Sequence, residues 1–217
     1  MADKVSFVRQ DLFESDLSPA SVVTMYLLPA VNLKLRPRLL STLRPGTRIV
    51  SHDFDMGDWA PDATTELHSD QKFGAGGGVS QVFPWIAPAD VAGRWQWRMP
   101  VAGRSYEYEL RTAQRYQKVD AVVRVDGEAR QVENVRLSGD SLTFTVVTEI
   151  KGSPVRQRFE GRISGESMTG RVALSGVRLH GTAEFAAERT QRGLRADRQA
   201  NADHSAVVVA ADKRWLG

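Results

Sequence analysis

The chain has 217 residues, 41% hydrophobic and 25% charged, with a net charge of +3 and no cysteine. That length suits one large domain or two small ones with a real core, and the composition excludes disulfides, thiolate nucleophiles and Cys-ligated zinc. The 29 Lys and Arg residues form no block, the start has no signal-peptide core, and the longest apolar stretch (21–31) is too short to span a bilayer, so the expectation is a cytoplasmic protein with neither a nucleic-acid nor a membrane partner.

In chain order, Val5–Val8 reads as a first strand, followed by a polar turn region over Asp11–Pro19. Ser21–Leu28 is nearly all apolar, as expected of a central strand covered on both faces. A helix is expected next, with Pro37 in its first turn and Leu39, Leu40 and Leu43 as its apolar stripe. Pro45-Gly46 stops it, and Thr47–Val50 is the following strand. This βαβ order implies a parallel sheet. The glycine cluster 73–78 holds a G-x-G but no following helix and no Lys-Ser/Thr, so it reads as a flexible connector.

From residue 86 to 190 the period changes to two. Leu142, Phe144, Val146, Thr148 and Ile150 share one face, as do Val155, Gln157, Phe159, Gly161 and Ile163, and Tyr106, Tyr108 and Leu110. Turn signals divide the runs at Asp126-Gly127, Ser138-Gly139-Asp140, Lys151–Pro154 and Ser164–Glu166. Short strands at such spacing predict an antiparallel barrel or sandwich. Residues 191–217 read as a flexible tail, with Val207–Val209 as one candidate strand inside it. The expected fold class is therefore α+β, in three parts: 1–85, 86–190 and 191–217.

The stretch VSFVRQDLFESDLSPASVVTMYLLPAVNLKLRPRLLSTLRPGTRIVSHDFDMGDWAPD resembles the second half of class I S-adenosylmethionine-dependent methyltransferases. It is most similar to bacterial relatives of the small protein-lysine methyltransferases. The resemblance implies a partial Rossmann-like sheet, S-adenosyl-L-methionine as cofactor, and methyl transfer to an acceptor, a protein lysine being one. It also implies that Asp11 accepts a hydrogen bond from the adenine amino group, that Leu12 or Phe13 packs on the ring, and that Tyr26 lies beside the methyl group. Tyr26 read as a core aromatic, Asp11 read as a turn former and His52 read as structural rather than as a base are the alternatives. Asn32 is a further candidate for the cleft.

The family's first half carries a strand, a G-x-G turn and a helix facing the cofactor, and none of these precedes Val5. The expectation is a truncated domain, inactive alone, whose cofactor needs the absent half. Downstream, Gly93-Arg94-Trp95 resembles the lipocalin-type G-x-W signature, in which the Trp closes one barrel end. Trp95, Trp97, Tyr106, Tyr108, Tyr116, Phe144 and Phe159 then fill the barrel core or line a ligand pocket. The Arg156, Arg158 and Arg162 stripe reads as a solvated face. His68 and His180 have no companions at ligand spacing, so no metal is expected. The second functional reading is a non-catalytic β-barrel that binds a ligand or a protein.

Overall fold

The computed structural model describes residues 4–70, 72 and 77–197. Val207–Val209 and most of the glycine cluster lie outside the described residues. The chain divides into two units, 1–85 and 86–217.

The first unit holds β1 (Val22–Met25), α1 (Pro29–Thr42), β2 (Arg48–His52), β3 (Thr65–Ser69) and β4 (Gly78–Ile86) in one sheet, ordered β1-β2-β4-β3. β1 and β2 run parallel with Val22 opposite Arg48 and Met25 opposite Ser51, and β3 pairs antiparallel with β4. The expected β–α–β order is therefore present. Its inner face is built by Met25, Leu35, Leu39, Leu43 and Ile49, all buried. Trp59 and Trp85 are also fully buried, and the Trp85 Nε1–H donates to the Trp59 carbonyl at 2.9 Å.

Three expectations for this unit are corrected. Val5–Val8 forms no strand; Val5, Phe7 and Val8 are exposed, Phe7 at 96%. An apolar run becomes a strand only where another strand offers it a ladder, and none lies beside it among the described residues. β1 is not buried on both faces: it stands at the sheet edge, and Val22, Tyr26 and Leu28 are exposed. The helix begins at Pro29, eight residues before the expected Pro37. Pro29 takes the first-turn position where its missing N–H costs nothing. The buried side chains Asn32, Leu35, Arg36 and Leu39 lie three and four apart, so one packed face carries the helix through Pro37.

The named elements of the second unit are all strands: β5 (Gly93–Val101), β6 (Arg104–Arg115), β7 (Lys118–Val125), β8 (Glu128–Arg130), β9 (Val132–Ser138), β10 (Ser141–Ile150), β11 (Ser153–Ser164), β12 (Ser167–Gly176) and β13 (His180–Arg192). They form one nine-stranded sheet ordered β8-β7-β6-β5-β13-β12-β11-β10-β9. The first strand pairs with the last, antiparallel, and the two edge strands β8 and β9 are consecutive in the chain, so the barrel is nearly closed. Turns with positive φ at both central residues, Ala102-Gly103, Asp126-Gly127 and Lys151-Gly152, match the strand twist.

The period-two faces point inward as expected. Trp97 stacks on Tyr108 at 5.0 Å between centroids, and Phe144 on Phe159 at 4.8 Å. These rings pack against one another and fill the interior. The Tyr108 hydroxyl donates to Gln157 Oε1 at 2.8 Å, and burial pushes its phenol up to about 12. The arginine stripe is exposed and paired: Arg156 to Glu133, Arg158 to Glu160 and Arg162 to Asp140.

Trp95, near the start of β5, is fully buried. Its Nε1–H donates to the Val91 carbonyl at 2.9 Å, and the Arg189 guanidinium lies 4.5 Å over its ring. Arg189 also donates to the carbonyls of Asp90, Ala92 and Gly165. Gly93 pairs with Arg192 so closely that a Cβ there would stand 2.1 Å from the Gln191 carbonyl. Residues 191–197, expected in the tail, are instead structured: β13 runs to Arg192, and Arg195 and Asp197 are buried as an ion pair at 2.6 Å. Period-two patterning failed there because the pairing of Arg195 with Gln114 is an isolated bridge, not a strand.

Candidate functional site

Parallel strands deliver the residues at their carboxyl ends to one edge of the sheet, where α/β proteins bind ligands. Here those residues are Tyr26, one past β1, and His52, the last of β2. Their rings meet edge-on, 4.6 Å between centroids with 65° between planes. Tyr26 is 68% exposed, so the alternative of a core tyrosine is set aside by its position. His52 is 38% exposed, and its Nδ1 lies 3.8 Å from Asp53 Oδ2.

Asn32, on the first turns of α1, is fully buried. Its Nδ2 donates to Ser51 Oγ at 3.2 Å and to the carbonyls of Phe54 and Asp55 at 3.1 and 3.2 Å. It therefore fastens the chain on both sides of His52 to the helix. Arg36, one turn on, adds a bond to the Met56 carbonyl at 2.6 Å and an ion pair with Asp58 at 2.5 Å. Asn32 thus acts from beneath, holding the loop that carries His52.

Asp11 forms a local turn. Its Oδ1 accepts the Phe13 N–H at 2.8 Å, and its carbonyl accepts from Ser15. The turn leaves its carboxylate exposed and sets Leu12 and Phe13 half-buried, with the Lys34 ammonium 4.4 Å above the Phe13 ring. Among the described residues, no hydrogen bond or ring contact joins Asp11, Leu12 or Phe13 to Tyr26 or His52.

Asp53 and its partners Lys72 and Gln81 were absent from the sequence reading. Asp53 has φ 63, and its Oδ1 accepts from the Lys72 ammonium at 2.8 Å and the Gln81 N–H at 2.9 Å. These two bonds, Lys72 first, hold its carboxyl below the ordinary value. The signal was an Asp directly after a strand and a histidine; its partners come from residues 19 and 28 positions away and have no local signature.

A family model described as the ANTKMT methyltransferase domain matches residues 1–63. A protein-lysine N-methyltransferase of Saccharolobus islandicus (strain REY15A) is 50% identical over 58 residues, 27% of this chain and 36% of that protein. A solved RNA methyltransferase from Salinibacter ruber, in complex with S-adenosyl-L-homocysteine, is 51% identical, covering 42% of this chain and 52% of that one with a TM-score of 0.36. The chain thus spans about a third of the length of the curated relative. The family and sequence matches support a methyltransferase.

Proposed function

We propose that the first unit is part of an S-adenosylmethionine-dependent protein-lysine methyltransferase, with the methyl-transfer site at the carboxyl ends of β1 and β2. The observation that carries this reading is the Tyr26–His52 pair at that edge, within residues 1–63 that the methyltransferase family model matches. The cofactor would supply an activated methyl group. The residues present suit one side of it: an exposed Asp11 carboxylate set by its own turn beside the half-buried Phe13 ring, and an exposed Tyr26 phenol. In this reading Asp11 holds the adenine amino group, Leu12 and Phe13 pack on the ring, and Tyr26 and His52 wall the acceptor's approach. Orientation then supplies most of the catalysis.

We further propose that a glycine-bearing segment outside the described residues completes the cleft by pairing with β1. The exposed edge of β1 and the exposed Val5, Phe7 and Val8 support this. Calorimetric titration with S-adenosylmethionine tests both statements. The chain alone is expected to bind weakly or not at all. Co-expressed with the portion of the Saccharolobus relative that it does not cover, it is expected to bind, and Asp11→Ala is expected to weaken binding. Micromolar affinity in the chain alone overturns the need for a further segment. An assembled complex that ignores the cofactor overturns the methyltransferase reading.

A further inference from the structure

Next to the Tyr26–His52 pair, the ammonium of Lys72 sits in a polar seat. Its Nζ lies 2.8 and 2.6 Å from the two Asp53 carboxylate oxygens and 2.5 Å from the Val79 carbonyl oxygen. Both side chains are largely shielded, Lys72 at 13% and Asp53 at 16% exposure. The seat is built from the backbone: Asp53, the residue after β2, takes a left-handed conformation, φ 63, which a non-glycine residue adopts only where its surroundings hold it. Gln81 of β4 secures that turn, its carbonyl accepting the Asp53 N–H at 2.7 Å and its own N–H reaching Oδ1 at 2.9 Å. The same carboxylate faces His52 Nδ1 at 3.8 Å, and His52 packs against Tyr26. Asp53 is thus the link between the held ammonium and the proposed transfer site.

We propose that the Asp53 carboxylate and the Val79 carbonyl recognise the ammonium of an acceptor lysine, and that Lys72 fills this seat in the present structure. The assignment rests on the methyltransferase reading for its role. The chemistry of the seat selects the ligand. A compact ammonium offers three donors, and the seat offers a charged acceptor on one side and a neutral one on another. A planar guanidinium brings five donors in a fixed fork, more than one carboxylate and one carbonyl can pair. Among the described residues, one carboxylate and one carbonyl touch the ammonium, fewer oxygens than the six to eight that a calcium ion takes. Glu66 lies on the rim of the same groove with Phe54, adding negative charge where a basic side chain would enter.

Two measurements on the full chain, neither needing cofactor, test the seat. Under limiting acetylating reagent, mass spectrometry is expected to show Lys72 modified about tenfold more slowly than the exposed Lys118, and Asp53→Asn to remove that protection. In Lys72→Met, n-butylamine is expected to shift the NMR signals of His52 and the Gln81 amide, and adding Asp53→Asn to weaken that binding about tenfold. Equal acetylation of Lys72 and Lys118, or butylamine binding indifferent to Asp53→Asn, overturns the proposal. A cofactor titration that fails while both measurements succeed would sink the methyltransferase reading and leave the ammonium seat standing.

Discussion

The Tyr26 and His52 rings meet edge-on at 4.6 Å because both stand at the carboxyl ends of strands that the β1–β2 register holds side by side, Met25 opposite Ser51. The contact leaves Tyr26 exposed while fixing its ring. In the proposed cofactor-binding assembly, Tyr26→Ala is expected to lower kcat/KM for methyl transfer by about tenfold to a hundredfold, the scale of lost orientation. Tyr26→Phe keeps the ring contact, so steady-state kinetics of the two variants separate packing from the hydroxyl. Unchanged kcat/KM in Tyr26→Ala would remove this pair from the site.

Asn32 bridges α1 to three oxygens around His52 from a fully buried position. Asn32→Ala leaves those partners unpaired and is expected to cost about 1–3 kcal/mol, read as a lowered denaturant midpoint of the first unit. Asn32→Asp is expected to be worse, because a carboxylate would face two carbonyl oxygens.

Gly170 of β12 lies opposite Gly161 of β11, and a Cβ at Gly170 would stand 1.9 Å from the Glu160 carbonyl oxygen. Backbone cannot yield as a flexible side chain does. Gly170→Ala is therefore expected to destabilise the barrel by about 1–3 kcal/mol in urea unfolding. An unchanged midpoint would mean that the two strands are not so closely apposed.

Arg189 is nearly buried, with its face on Trp95 and its N–H groups on three carbonyls. Arg189→Lys keeps the charge but loses the planar fork. It is expected to cost about 2 kcal/mol or more and to change tryptophan fluorescence. Equilibrium unfolding followed by that fluorescence checks both.

Tyr108 gives a pH dependence of known sign. Its phenol is raised from 10.0 to about 12 in the folded chain, by burial first. A raised value contributes stability in full below the unfolded value of 10.0, and that contribution is lost as pH climbs through about 12. Urea midpoints measured across that window are expected to fall more steeply in the parent chain than in Tyr108→Phe. Parallel curves would contradict it.

What the sequence determined by itself was whatever depends on spacing along the chain. Period-two alternation placed Leu142, Phe144, Val155, Phe159, Tyr106 and Tyr108 inside, and Asp126-Gly127 and Lys151-Gly152 in turns, because a strand's side chains alternate whatever its neighbours are. The order strand, helix, strand over residues 22–52 was legible for the same reason. The tertiary structure alone decided what depends on neighbours. Val5–Val8 and the edge of β1 were apolar enough to be strands in a core, yet burial requires a partner, and none stands beside them among the described residues. The helix ran back to Pro29 because its packed face, not its prolines, set its length. Asp53 meets Lys72 and Arg189 meets Trp95 only after the chain has folded back on itself. No periodicity encodes such meetings, since each is fixed by register and closure rather than by separation in sequence.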